Sequence, residues 1–146
     1  MRSFTLAVAC FVLAAPLAAQ AKKEVLRQPG DTPNPNLSTV VRAGDFLYLS
    51  GQLGTAPGKG LVPGGTASET KQTLDNIKAV LEAAGSGMDR VVKCTVFLAD
   101  INDFQAMNAV YRTYWTADPP ARSTVAVAGL VLNAKIEIEC LALAGK

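Results

Sequence analysis

A single α+β domain, with its elements in the order ββαβαββ and both helices on one face of one mixed sheet, is the fold this sequence predicts. Two segments, about residues 67–84 and 103–115, space their apolar residues with the period of a helix. Five runs rich in β-branched and aromatic residues, at about 40–42, 46–50, 91–98, 122–128 and 135–143, read as strands bounded by Gly, Asp, Asn or Pro. The chain has 146 residues, and about 125 remain once an N-terminal leader is set aside, which suits one domain and not two.

The leader comes first. Met1-Arg2-Ser3, an uncharged run from Phe4 to Ala19, and the small residues of Ala19-Gln20-Ala21 have the layout of a cleavable signal peptide over residues 1–21, which places the mature domain at 22–146 and predicts a periplasmic or secreted protein. The run is short for a stable span, is interrupted by Pro16, and is closed by Lys22, Lys23 and Glu24, so no stable membrane anchor is expected. Removing Arg2 with the leader takes the 14 basic residues to one more than the 12 acidic ones, a formal charge of +1. That balance gives no electrostatic footprint for nucleic acid.

Residues 22–36, rich in Pro, Asp and Asn, read as an extended lead-in with turns at Pro29-Gly30-Asp31 and Pro33-Asn34-Pro35. Val40-Val41-Arg42 and Phe46 to Ser50 form a hairpin across Ala43-Gly44-Asp45, and a glycine-rich loop runs from Gly51 to Gly65. In the first helix Leu74, Ile77, Val80 or Leu81, and Ala84 recur at helical spacing, with Thr66 or Ser68 as N-cap and Gly85 as stop. The second helix carries Phe104, Met107 and Tyr111 on one side and is ended by Pro119-Pro120.

In the strand between the helices, Val92, Cys94, Val96 and Leu98 form one face and Val91, Thr95 and Phe97 the other, both too apolar to meet water. Two helices cover one face only. The expected cover for the other is a second copy of the chain, so a homo-oligomer follows from counting elements. Cys94 and Cys140 lie in separate strand-like runs without metal-ligand spacing. An oxidising compartment permits their pairing, but two separate buried thiols are the expectation.

The chain contains no histidine, which removes Ser-His and Cys-His nucleophilic catalysis and most transition-metal sites. Chemistry must then use carboxylates, cations, hydroxyls, backbone dipoles and water. Arg122 stands at the mouth of an apolar strand, and no acid occurs between Asp118 and Glu137. An arginine so placed is solvated, paired with a distant carboxylate, or kept for an anionic ligand, and its planar fork matches a carboxylate in bidentate fashion. A small carboxylate substrate is the first hypothesis.

The pattern Pro120-Ala121-Arg122-Ser123-x-Val125-x-x-Ala128-x-Leu130, followed by Ile136-Glu137-Ile138, resembles the signature of the RidA (YjgF) family of imine and enamine deaminases. Ser50-Gly51-Gln52, Gln72-Thr73-Leu74-Asp75-Asn76-Ile77 and Asp100-Ile101-Asn102-Asp103-Phe104 with Asn108 and Tyr111 extend the resemblance over about residues 28–144. It implies a chorismate-mutase-like single domain, a mixed six-stranded sheet with two helices on one face, assembled as a homotrimer with its sites in the clefts between subunits. By the same resemblance Arg122 grips the carboxylate of a 2-imino acid, Glu137 holds or activates water, and Ser50, Gly51 and Asn108 shape the pocket. Thr124 stands where the family commonly has a cysteine that serves through its backbone, and Leu37 where a tyrosine is expected. The expected partner is a small 2-imino or 2-keto acid, with no metal or organic cofactor, since an imine conjugate to a carboxylate already reacts with water. A non-catalytic binding protein using the same cleft is the alternative.

Overall fold

Alternating buried and exposed residues build the sheet, and helical stripes of apolar residues roof one side of it. The computed structural model describes residues 22–27 and 34–145; the leader and the turn expected at Pro29-Gly30-Asp31 lie outside the described residues. Strands β1 (Lys23–Leu26), β2 (Val40–Ala43) and β3 (Phe46–Leu49) form an antiparallel meander, the last two joined through Gly44 at φ 60°, a left-handed position that costs glycine nothing. Then come β4 (Gln52–Leu53), the hairpin of β5 (Thr55–Ala56) and β6 (Gly60–Leu61), helix α1 (Gly65–Ala83), β7 (Val91–Leu98), helix α2 (Phe104–Tyr111), β8 (Ala121–Ala126) and β9 (Ile136–Leu143). The main sheet runs β1-β2-β3-β9-β7-β8. Among the described residues only β7 and β8 pair in parallel, joined by the crossover through α2.

The expected six strands are therefore present, with β4 pairing to β9 as a seventh. The sixth is β1, which reads in sequence as extended lead-in because its four residues gain strand identity only by pairing with β2. The glycine-rich loop likewise contains β4 to β6, each too short to show a period. Helix α1 is capped by Gly64 at φ 109° and not by Thr66 or Ser68; Thr66 Oγ1 instead donates to Asp103 Oδ2 at 2.7 Å, tying α1 to the approach of α2. Gly85, at φ 72°, ends α1 as expected. Helix α2 stops at Tyr111, short of the Pro119-Pro120 barrier, and passes into turns.

The core lies between the helices and the sheet, with Leu47, Leu74, Ile77, Leu81, Val96, Leu98, Met107, Ile136 and Ile138 fully buried. The other face of the sheet is bare. Phe46, Tyr48, Val125 and Leu143 are exposed there, and the half-buried Thr95, Phe97 and Leu141 continue the surface. One face assignment changes: a register irregularity between Val91 and Lys93 turns Val91 into the core and leaves Val92 exposed.

Cys94 and Cys140 are not separate thiols. They stand directly opposite each other on β7 and β9, Cα atoms 4.2 Å apart, and form a buried disulfide. That separation belongs to a non-hydrogen-bonded antiparallel pair, whose side chains approach most closely. Strand pairing sets such a register, so the sequence left pairing as the lesser alternative.

Candidate functional site

The predicted site residues fall into two groups on opposite faces of the sheet. Arg122 lies on β8, the edge strand, in register with Cys94 on the core side, beneath α2. Phe104, Asn108 and Tyr111 occur at helical spacing along α2, which places them on one face of it. Arg122 Nη2 donates to Asn108 Oδ1 at 2.9 Å, and its guanidinium carbon lies 4.5 Å from the Tyr111 ring centroid and 5.7 Å from that of Phe104. These are cation–π distances.

Among the described residues the guanidinium has no carboxylate partner. Among the described residues the ion pairs are Lys71–Asp75 and Lys78–Glu82, both on α1. Asn108 takes one N–H through a neutral amide, so the fork is oriented while its charge is left uncompensated. A cavity of about 360 Å³ opens beside it, lined by Asn108, Tyr111, Arg112, Trp115, Pro120 and Arg122 among others, with no acid in its wall. Thr124, two residues on and hence on the same face, has a buried Oγ1 with no partner among the described residues.

Glu137 belongs to the other face. Its β9 neighbours Ile136 and Ile138 are fully buried, so the period of two turns Glu137 outward with Glu139 and Leu141. Gly51 lies against it so closely that a Cβ there would push the carboxylate out of its present place. Ser50 holds the turn in place: its N–H donates to Thr39 O at 3.0 Å and its Oγ to Ser38 O at 2.7 Å. Burial, and then the charge of Glu139, hold the Glu137 carboxyl above the usual carboxylate range.

Thus the fold brings Arg122, Asn108 and Thr124 together, and separately Ser50, Gly51 and Glu137. It does not bring the two groups together within one chain. In the cross-strand rows, Arg122 aligns with Cys94 and Cys140 facing the core, whereas Glu137 aligns with Phe97 and Val125 facing outward. Leu37, more than half exposed, is in neither group as a buried wall.

In the sequence Phe104 and Tyr111 read as one side of the second helix and as part of the family pattern, with no role at the site. Their signal is the shared helical face with Asn108, which becomes informative only once α2 is known to cross over β8. Trp115 adds a second layer: its ring centroid is 4.6 Å from that of Tyr111, and its Nε1 donates to Met88 O at 2.8 Å. Burial pushes the Tyr111 phenol up to about 12, against the opposing effect of Arg122, so it stays neutral across the physiological range.

A family model described as Endoribonuclease L-PSP matches residues 30–144. A rat protein named 2-iminobutanoate/2-iminopropanoate deaminase is 50% identical over 109 residues, which cover 74% of this chain and 80% of that one. Among solved structures, the Rid-family protein YyfA of Yersinia pestis, whose function is described as unknown, superposes with TM-score 0.79 at 35% identity, covering 84% of this chain and 100% of its own. The YjgF gene product of E. coli superposes with TM-score 0.71 at 43% identity over 75% of this chain and 88% of its own.

Proposed function

The chain belongs to the Rid (RidA/YjgF) family, and from that premise we propose that it hydrolyses 2-imino acids and their enamine forms to 2-keto acids and ammonia. The observation that carries this reading is Arg122, oriented by Asn108 and aromatic faces yet without a carboxylate partner, at the edge of an open cavity. A 2-imino acid supplies the missing carboxylate. Bidentate binding there fixes the imine carbon for attack, which is the larger part of what an already electrophilic substrate needs.

Glu137 accepts a proton from water as the water oxygen bonds to the carbon of the protonated imine and the C=N electron pair moves to nitrogen, giving a neutral carbinolamine. The same carboxyl gives that proton to the nitrogen, then takes the hydroxyl proton as the carbonyl forms and the C–N bond breaks, and passes it to the departing ammonia. A carboxyl held above its ordinary range suits these transfers. Because Arg122 and Glu137 face opposite sides of the sheet, this chemistry needs two chains, the Arg122 edge of one against the bare face of the next. The apolar surface around Phe46, Tyr48 and Val125 supports that contact, and a homotrimer is the assembly we propose. Light scattering that reported a monomer at micromolar concentration would remove both the assembly and the shared site.

Export through a cleaved leader of residues 1–21 into the periplasm or medium is part of the same proposal, and the Cys94–Cys140 bond supports an oxidising location. RNA cleavage draws no such support, because the chain has no histidine and a formal charge of only +2. The deciding experiment generates 2-iminopropionate in situ with an amino-acid oxidase and compares the rate of keto-acid release with and without the purified protein; equal rates overturn the enzyme reading. A non-catalytic carboxylate-binding protein is the second reading, favoured by the exposed Leu37 where the family tyrosine is expected. It would show as Arg122-dependent binding of 2-ketobutyrate without turnover.

A further inference from the structure

We propose that Tyr111 is a positioning residue for Arg122, its ring being the seat on which the guanidinium lies; the idea rests on the anchor role given to Arg122 above. The guanidinium carbon is 4.5 Å from the ring centroid, and Tyr111 is only 4% exposed, so the ring is held in the core and not draped over the surface. Trp115 backs it at 4.6 Å between centroids and is itself clamped by the hydrogen bond from Nε1 to Met88 O. Trp115 thus braces Tyr111, their planes inclined at 35°, and Tyr111 lies against Arg122, all on one end of α2 and the turns that follow it.

A guanidinium seated flat on the ring, as proposed, keeps the N–H groups at its rim directed in its own plane. Asn108, three residues before Tyr111, takes one of them at 2.9 Å. The others are left for a ligand. Ring and amide together thus set both the tilt and the rotation of the fork, which neither could do alone. The ring is the working part of Tyr111: its hydroxyl is buried without a partner among the described residues, and a neutral buried phenol cannot serve as a base. Lysine at position 122 would gain the attraction to the ring but lose the planar register, so the seat also explains why the anchor is an arginine.

The experiment separates seat from anchor. Position 111 is changed by Tyr111→Phe, by Tyr111→Leu, and by incorporation of progressively fluorinated phenylalanines, which keep the shape of the ring while weakening its negative face. Two quantities are read: hindered rotation of the Arg122 guanidinium, from its resolved side-chain N–H resonances, and affinity for 2-ketobutyrate beside its uncharged amide analogue. Tyr111→Phe should retain both. Fluorination should loosen the guanidinium and weaken 2-ketobutyrate stepwise, by about two- to thirtyfold in total, while binding of the amide is unchanged. The fluorinated series preserves packing, so it remains informative if Tyr111→Leu does not fold. Guanidinium order and carboxylate affinity that ignore fluorination overturn the proposal, as does equal loss of acid and amide binding, which marks a merely structural role. If fluorination loosens the guanidinium while Arg122→Lys leaves carboxylate binding intact, the seat stands and the anchor reading fails.

Discussion

The two faces of the sheet differ in how far one chain completes them. On the helix side, Arg122 has its amide partner, its aromatic seat and a buried neighbour in Cys94, all supplied by its own chain. On the other side, Glu137 has only the backbone of Gly51 and the like charge of Glu139, amid exposed aromatic and aliphatic residues. In the assembly proposed, one half of the chemistry is organised before subunits meet and the other waits on a bare surface, which keeps a carboxyl and a guanidinium from neutralising each other inside the monomer.

The largest expected effect falls on the bare face. Glu137→Gln preserves shape and removes the proton acceptor, so turnover should drop by about a hundred- to ten-thousand-fold while 2-ketobutyrate affinity changes little. In wild type the acid limb of kcat/KM should sit above the ordinary carboxylate range, because the raised Glu137 carboxyl is protonated, and cannot accept, as pH falls through its folded value.

Next is the bond that joins the strands bearing the two halves. Cys94 and Cys140 are 46 residues apart in sequence, for which loop-closure entropy gives about 4 kcal/mol. Urea unfolding of the oxidised protein against the Cys94→Ala/Cys140→Ala variant should show a loss of that order, and a difference below about 1 kcal/mol would mean the staple contributes nothing beyond packing. Arg122→Lys, on the completed face, keeps the charge and loses the fork, which should cost roughly 1.5 to 3 kcal/mol, or about ten- to a hundredfold in turnover, with circular dichroism unchanged. Wild-type turnover in this variant would remove the carboxylate anchor.

Mixing those two variants sharpens the comparison further. If each site takes Arg122 from one chain and Glu137 from the next, co-refolding Arg122→Lys chains with Glu137→Gln chains recreates intact sites at about a quarter of the contacts. Activity should reappear in the mixture. No recovery in verified mixed assemblies would place both residues of each site in the same chain. The smallest effect is expected from Tyr111→Phe, which removes an unpartnered buried hydroxyl and should leave stability within about 1 kcal/mol of wild type, or slightly above it, by thermal unfolding.

Much of this was legible in the residues. Helix α1 with its stop at Gly85, and strands β7, β8 and β9 in their order around the second helix, all rest on periods of 2 or 3.6 that a side chain carries wherever its segment lies. The signature around Arg122 and Glu137 was equally plain, as was the absence of acid near Arg122. The edge strand β1 and the short strands β4 to β6 were not, because segments of two to four residues show no period. The N-cap was misjudged since Thr66 had a partner 37 residues away, in Asp103.

Local pattern, then, was enough to set the element types, the apolar stripe of each helix and the residues that carry chemistry. Which face each residue occupies, and with whom, came from pairing between distant segments. A single register irregularity exchanged Val91 and Val92, one cross-strand alignment made a disulfide of two cysteines, and the buried Glu69 found its partner in the backbone N–H of Lys135 at 2.7 Å. The same alignment sent Arg122 inward and Glu137 outward. Side-chain direction in a strand reverses with every residue, so a one-residue change of register moves a side chain to the other face without altering composition or local pattern; that choice is made by the packing of the whole sheet.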